Sequence, residues 1–151
     1  MPNRTALPPA ALLWLRRDFR LHDQTALLEA TRTCEHVVPV FVIDPRTLKE
    51  FGPGLKPHAA FFGALLALRS ELRSHGKDIW LIEGDPVREI PALCHELRAT
   101  HLFFNKDYEP QGITRDRAVT KGCEETGVVV RTFKDQSLFE ESEVLNQSGS
   151  P

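Results

Sequence analysis

The chain has 151 residues, of which 41% are apolar and 26% charged, and its formal net charge is −2. This length is enough for one domain that buries roughly 70% of the surface exposed in the unfolded chain. The small net charge excludes an overall electrostatic field strong enough to attract nucleic acid by itself. No apolar run approaches the roughly 18 residues of a membrane span, and three widely spaced cysteines without an export signal favour the cytoplasm.

Short apolar runs recur along the chain and are the predicted strands. They lack the alternation of a half-exposed strand, which is typical of a parallel sheet covered on both faces. The runs are Ala11 to Leu15, Val37 to Ile43, Ile79 to Ile82, Leu102 to Phe104, and Val128 to Phe133.

Segments with helical periodicity lie between these runs. The predicted helices are Thr25 to Cys34, His58 to His75, Val87 to Arg98, and Ile113 to Glu125. Asp44 and Asp85 each end a strand and precede a proline, a pattern that favours a helix start. Pro91 predicts a kink or a late start in the third helix. The stretch RTLKEFGPGLKP after Asp44 is expected to be a long loop.

Five strands alternating with helices predict an α/β fold. We expect a three-layer α/β/α domain over residues 10–140, with a five-stranded parallel, Rossmann-like, doubly wound sheet. A flavodoxin-like strand order, or a close relative of it, would place the ligand crevice beside the first strand. Residues 1–9 are expected to be a flexible leader and residues 141–151 a linker.

Two charged loops are predicted to face each other at the carboxyl edge of the sheet. The stretch RRDFRLHD follows the first strand and NKDYEP follows the fourth. The first loop exceeds the usual length of about 2 to 6 residues, which favours a binding role over charges that only solubilise an edge. The polar groups expected at this crevice are Arg16, Arg17, Asp18, Arg20, Asp44, Asn105, Lys106, Asp107, Tyr108 and Glu109.

Several other chemistries are not supported by the motifs. The glycine-rich dinucleotide and triphosphate loops are missing, as is a serine nucleophile elbow. The histidines are scattered and Cys94 and His95 are merely adjacent, so no metal site is expected. A phosphoacceptor receiver domain would need acids after the first strand, where this chain has arginines. We therefore expect no catalytic residue and no metal ligand.

The motifs, taken in order, resemble the amino-terminal domain of the DNA photolyase and cryptochrome family. They are LLWLRRDFRLHDQTALLEA, VVPVFVIDP, IEGDP, LFFNKDYEPQGITRDRAV and LNQSGSP. Departures from the family pattern are small: Leu15 replaces an aromatic or histidine, Phe19 a leucine, and Gln24 an asparagine. None of them removes a charge from the expected crevice.

The resemblance implies a domain that holds an antenna pigment, which is a folate, an 8-hydroxy-deazaflavin or FMN. It also implies a carboxyl-terminal helical domain, absent from these 151 residues, that carries FAD and the pocket for damaged DNA. The parent would be a carbon–carbon lyase, and the chain alone is expected to be inactive and could self-associate. A cryptochrome photosensor and a stand-alone nucleotide-binding protein remain alternatives.

The resemblance also assigns roles to individual residues. Arg17 resembles an arginine that contacts the pigment, while Asp107 and Glu109 resemble acids that hydrogen-bond its ring. Phe41 and Asp44 resemble residues of the pocket wall. Asn105 and Tyr108 are second choices for pigment contact. Arg16 and Arg20 are expected to form salt bridges with Asp18 or with the helical domain.

Overall fold

A computed structural model describes residues 10–50 and 55–135 of the chain. The predicted leader, the predicted linker and residues 136–140 lie outside the described residues. The elements in chain order are β1 (Ala10–Leu15), α1 (Thr25–Thr33), β2 (His36–Ile43), α2 (Pro45–Glu50), α3 (Leu55–Ser74), β3 (Trp80–Glu83), α4 (Pro86–Glu96), β4 (His101–Asn105), α5 (Pro110–Glu124) and β5 (Val129–Phe133).

The five strands form one parallel sheet in the order β3-β2-β1-β4-β5. The prediction of a five-stranded parallel sheet is confirmed. The flavodoxin-like order is not the one observed, because β2 and β3 extend the sheet on one side of β1 and α4 then returns the chain to the other side. Leu13 of β1 consequently pairs with Pro39 of β2 and with Phe103 of β4. The strand order therefore still reverses beside β1, as expected for a ligand crevice.

Successive side chains of β1 point into two separate cores. Leu12 and Trp14 pack with residues of α4 and α5, whereas Leu13 and Leu15 pack with residues of α1 and α3. Both faces of the central strand are thus covered by helices, which confirms the three-layer architecture and explains the unbroken apolar run of β1.

Helix α4 begins earlier than the sequence suggested. Asp85 caps it by accepting a hydrogen bond from the Val87 backbone N–H at 3.0 Å, and Pro86 occupies the first turn. The expected late start is wrong, since the helix continues through Pro91. A Cβ added to Gly122 of α5 would lie 3.0 Å from the Pro91 ring, so the proline sits where α4 and α5 approach closely.

The segment after Asp44 is not wholly a loop. It contains α2, which begins at Pro45, and α3 begins at Leu55, ahead of the predicted start at His58. Helix α5 likewise begins at Pro110 instead of Ile113. Proline at the first helical position explains the starts of α2 and α5, because its missing N–H needs no partner there.

Candidate functional site

The loops that follow β1 and β4 meet at the carboxyl edge of the sheet. Arg17 donates two parallel hydrogen bonds to Glu109, from Nη1 to Oε1 at 2.7 Å and from Nη2 to Oε2 at 3.0 Å. β1 and β4 are neighbouring parallel strands, so their carboxyl ends deliver both loops to one rim. The two loops therefore converge as the sequence suggested.

One cavity of about 560 Å³ opens at this edge. Five of the seven residues predicted to bind the pigment line it, namely Arg17, Phe41, Asp44, Asp107 and Glu109. The other lining residues are Trp14, Arg16, Val42, Arg46, Phe61, Pro86, Val87, Pro110, Gln111, Gly112, Thr114, Arg115 and Ala118. The volume falls in the range of small-molecule sites, about 300–1,000 Å³.

Asp107 is held firmly against the first turn of α5. It accepts hydrogen bonds from the Glu109 backbone N–H at 3.1 Å and from Arg115 Nη2 at 3.0 Å. Burial raises the pKa of Asp107, but these two donors outweigh burial and hold the pKa below its usual range. Asp107 is therefore a fixed, ionised acceptor at the cavity wall.

Asp44 lies on the opposite wall of the cavity with Arg46. Its carboxylate accepts the Arg46 backbone N–H at 2.8 Å and Arg46 Nη2 at 2.9 Å. Burial raises the pKa of Asp44, yet the hydrogen bonds from Arg46 lower it further than burial raises it. Arg46 Nη2 also lies 2.7 Å from Asp85 Oδ1, so one guanidinium links the carboxyl ends of β2 and β3.

Glu109 differs from these two acids because it is exposed. Its side chain is 59% accessible and that of its partner Arg17 is 40% accessible. Hydrogen bonding by Arg17 lowers the pKa of Glu109. An exposed ion pair contributes little to stability, so this pair can exchange partners at low cost.

Aromatic rings form the inner wall of the cavity. Phe41 of β2 and Phe61 of α3 have ring centroids 5.9 Å apart, and Phe19 packs edge-on against each of them. Trp14 of β1 lies under two guanidinium groups, with Arg16 Cζ at 4.8 Å and Arg115 Cζ at 5.3 Å from its ring centroid. The wall thus offers flat apolar surfaces beside fixed cations.

Asn105 is occupied with holding the first loop. Its Nδ2 donates to Asp18 Oδ2 at 2.7 Å, and its Oδ1 accepts the Ala26 backbone N–H at 3.3 Å. Asp18 also accepts the Arg16 backbone N–H at 2.9 Å. Both side chains are buried, and neither lines the cavity. The pair therefore fixes the position of the loop that carries Arg17.

Tyr108 and Lys106 point away from the cavity. They line a second groove of about 570 Å³ on the other side of α5. Neighbouring residues of one loop thus face different sites, and among the described residues Asp107 lines both the cavity and this groove.

Arg16 and Arg20 form salt bridges, but not with the partner expected from the sequence. Arg16 pairs with Asp116 of α5, and Arg20 pairs with Asp135 just beyond β5. Asp18 is turned instead toward Asn105 and the backbone, so the expected Asp18 pairing is wrong. Asp116 and Asp135 are distant in sequence from these arginines, so local sequence patterns do not predict the two salt bridges.

Several cavity residues were not identified from the sequence. The sequence indicates Trp14 only as part of a buried strand, although its position near the carboxyl end of β1 places it next to the expected crevice. Arg46 follows the Asp44-Pro45 pair and could have been found as a donor to that cap. Arg115 and Phe61 carried no local signal, because only the packing of their helices brings them to the cavity.

Among residues 10–50 and 55–135, no cluster of three or more His, Cys, Asp or Glu side chains could hold a metal ion. Within the same ranges, every helix is too short or too polar to span a membrane.

The fold and the site define an α/β protein with a ligand cavity at the carboxyl edge of a doubly wound sheet. The family model described as DNA photolyase matches residues 11–151. The chain therefore belongs to the DNA photolyase family. Its curated relatives include deoxyribodipyrimidine photo-lyases and cryptochromes.

Individual relatives agree with this assignment. An uncharacterized 31.6 kDa protein of Synechococcus is 34% identical over 143 residues, which cover 95% of this chain and 50% of the relative. The crystal structure of a class III photolyase from Agrobacterium tumefaciens matches all of this chain with a TM-score of 0.85 and 32% identity. An archaeal photolyase from Sulfolobus tokodaii, solved with two FAD molecules, matches 91% of this chain with a TM-score of 0.81 and 30% identity.

These relatives are much longer than the chain. The chain spans 50% of the Synechococcus protein and 31% and 32% of the two photolyase structures.

Proposed function

We propose that the chain is the antenna-chromophore-binding domain of a light-driven DNA photolyase. The observation that carries the proposal is the cavity in which Arg17, Asp107 and Glu109 meet the aromatic wall formed with Phe41. Carboxylates can accept hydrogen bonds from ring N–H groups, and guanidinium groups can bind carbonyl or phosphate oxygens or stack on a ring. The cavity offers both chemistries beside flat apolar surfaces.

The residues present fit a planar pigment such as a folate, an 8-hydroxy-deazaflavin or FMN. A bound pigment would absorb light and pass on the excitation energy, so the protein needs only to hold it at a fixed orientation and distance. Phe41, Phe61 and Trp14 provide apolar contact, and Asp107 provides a fixed acceptor. No acid, base or nucleophile is required from this domain.

The salt bridges differ in how easily their residues could exchange a protein partner for a pigment. Asp44 is buried and Asp107 is half-buried, and each pairs with an arginine, so withdrawing those arginines would leave poorly solvated charges without compensation. Arg17 and Glu109 are exposed, and the ion pair between them is of the weak surface kind. We assign the exchange of partners on pigment binding to Arg17 and Glu109, and orientation of the ring to Asp107.

The proposal places FAD and the pocket for damaged DNA on a carboxyl-terminal helical domain beyond these 151 residues. The greater length of the relatives supports this division, and the chain alone is then expected not to repair DNA. A photosensory role is the second candidate, since cryptochromes are among the relatives. Repair of damaged DNA by the full-length protein distinguishes the first from the second.

A titration of the purified chain with FMN, 8-hydroxy-deazaflavin and folate tests pigment binding. The chain has two tryptophans, so Trp80→Phe leaves Trp14 of the cavity wall as the single indole reporter. Binding of one pigment is expected to quench Trp14 emission and to shift the pigment's absorption band to the red. Unchanged spectra with all three pigments would contradict the proposal.

Variants then locate the site. Asp107→Ala combined with Glu109→Ala is expected to weaken pigment binding by at least about tenfold, because two ring acceptors are lost. Glu29→Ala combined with Glu35→Ala is the matched control, since both acids lie on or beside α1, outside the cavity. Equal binding by both double variants would place the pigment elsewhere.

A further inference from the structure

Trp14 is the one readily oxidised side chain among the described residues that line the cavity. These lining residues include no tyrosine, cysteine, methionine or histidine, and Trp80 lies on β3, outside the cavity. An indole beside an excited flavin or deazaflavin can donate one electron to it, and this transfer ends the excited state before its energy is passed on. A pigment held against Trp14 would therefore be quenched unless the indole is a poor electron donor.

Two guanidinium groups lie over the Trp14 ring and weaken it as a donor. Arg16 Cζ is 4.8 Å and Arg115 Cζ is 5.3 Å from the ring centroid. Cations at this distance attract the electron-rich face of a neutral indole, but they repel the positive charge that the ring gains when it loses an electron. The same two contacts thus stabilise the neutral ring and destabilise its radical cation.

Burial of Trp14 acts in the same direction. The residue is 2% exposed, and its ring packs edge-on against Phe104 with the centroids 5.2 Å apart. An apolar environment solvates a new positive charge poorly. Loss of an electron from Trp14 is therefore disfavoured by its surroundings as well as by the two cations.

Salt bridges hold both arginines over the ring. Arg16 follows β1 and pairs with Asp116 of α5. Arg115 Nη2 lies 2.9 Å from Asp116 Oδ1 and 3.0 Å from Asp107 Oδ2. These carboxylates offset part of the positive charge, but the guanidinium groups contact the ring face itself, and Coulomb interactions weaken with distance. Helix α5 and the first loop together thus keep positive charge on the indole.

We propose that Arg16 and Arg115 suppress electron transfer from Trp14 to the excited pigment. This inference rests on the proposed function, because it requires a pigment in the cavity. Without the two cations, one electron passes from the indole to the excited pigment, which leaves an indole radical cation and a pigment radical anion. With them, the excited state lasts long enough to pass its energy to a distant acceptor.

Oxidation of Trp14 in the pigment-free chain tests the effect of the cations on the ring. In a Trp80→Phe background Trp14 is the single indole, and flash-generated tris(bipyridine)ruthenium(III) removes one electron from it. Arg16→Gln is expected to raise the rate of indole radical formation at least about tenfold, because one of the two cations is lost. Arg16→Lys keeps the charge and is expected to stay within about twofold of the unmodified rate.

Arg32→Gln is the matched control, since it removes one positive charge from the exposed surface of α1, outside the cavity. It is expected to leave the rate unchanged, which separates the field at Trp14 from the attraction between the whole protein and the cationic oxidant.

The excited-state lifetime of the bound pigment tests the consequence for light harvesting. With whichever of FMN, 8-hydroxy-deazaflavin and folate binds most tightly, Arg16→Gln is expected to shorten the lifetime at least about threefold. Adding Trp14→Phe to Arg16→Gln is expected to restore the lifetime, because no electron donor then remains in the cavity wall.

The outcomes distinguish this inference from the proposed function. Failure of all three pigments to bind would overturn both. With a pigment bound, an indole oxidation rate that is the same in Arg16→Gln as in the unmodified chain would overturn the role of the arginines alone. A shortened lifetime that persists in the combined variant without Trp14 would also overturn it, because the quencher would then be another group.

Discussion

Asp107 and Gly112 are so close that a Cβ added to Gly112 would lie 2.2 Å from Asp107 Cγ. The glycine therefore makes room for the carboxylate that Arg115 binds at the wall of the cavity. The contact is with a short side chain that two hydrogen bonds hold in place. Helix α5 thus accommodates Asp107 because Gly112 has no side chain, and hydrogen bonds fix the orientation of the carboxylate.

Gly112→Ala is expected to destabilise the protein by about 1–3 kcal/mol, because the new methyl group displaces Asp107. It should also weaken pigment binding. Chemical denaturation and the pigment titration measure the two effects. Gly63→Ala is the control, since nothing lies within 4 Å of its new Cβ on α3. A neutral Gly112→Ala variant would show that Asp107 does not depend on this space.

Asp18→Ala is expected to destabilise the protein by about 3 kcal/mol. The change leaves the Asn105 amide and the Arg16 backbone N–H without their acceptor in a buried position. Denaturant unfolding measures the loss, with His22→Ala on the same loop as an exposed control. A loss of less than about 0.5 kcal/mol would mean that water replaces Asp18.

Arg17→Ala is expected to separate pigment binding from stability. The Arg17–Glu109 pair is exposed, so the thermal midpoint should change by less than about 2 °C. Pigment affinity should fall, because the cation at the rim is lost. Thermal unfolding and the pigment titration are compared on one preparation. A large fall in thermal midpoint would instead assign Arg17 to structure.

Removal of the Arg46 side chain is expected to raise the pKa of Asp44 relative to the unmodified chain. In the unmodified chain the folded-state pKa is lowered, so the stability contributed by ionised Asp44 is present above the unfolded pKa of about 3.9 and is lost as the pH falls through the folded value. In Arg46→Ala the side-chain hydrogen bonds and the charge of Arg46 are lost, whereas the backbone N–H of residue 46 and the charge of Arg115 still lower the pKa, so the Asp44 pKa is expected to rise relative to the unmodified chain. The stability that ionised Asp44 contributes at neutral pH should then fall.

NMR titration of the Asp44 carboxyl carbon measures this change directly. Arg32→Ala is the control, because Arg32 pairs with Glu29 on the exposed side of α1. An Asp44 pKa that is the same in Arg46→Ala as in the unmodified chain would show that another donor has taken over.

The three cysteines are expected to resist alkylation in the folded protein. All are buried, burial raises the pKa of Cys34, and contact with Cys123 together with burial raises the pKa of Cys94. Because the thiolate is the reactive form, labelling should be at least about 100-fold slower than in denaturant. Mass spectrometry counts the labelled thiols with time. Rapid labelling of one cysteine in native buffer would show local opening at its position.

Much of the fold could be read from short-range patterns. The unbroken apolar run of β1 required a strand covered on both faces, and the Asp85-Pro86 pair marked a helix start. Since all strands are parallel, the loops bearing Arg17 and Glu109 had to lie at the same edge of the sheet, although their contact also depends on β1 and β4 being neighbours. These inferences depend on local sequence and on the geometry of a parallel sheet, so no coordinates were needed for them.

The tertiary structure alone decided which charges pair and which side chains close the cavity. Arg16 binds Asp116 and Arg20 binds Asp135, although each partner is about a hundred residues away in the chain. Phe61 reaches the cavity wall only because α3 packs against β2. Ion pairs and ring contacts act over a few ångströms in space, and local sequence carries no record of the distances that folding brings together.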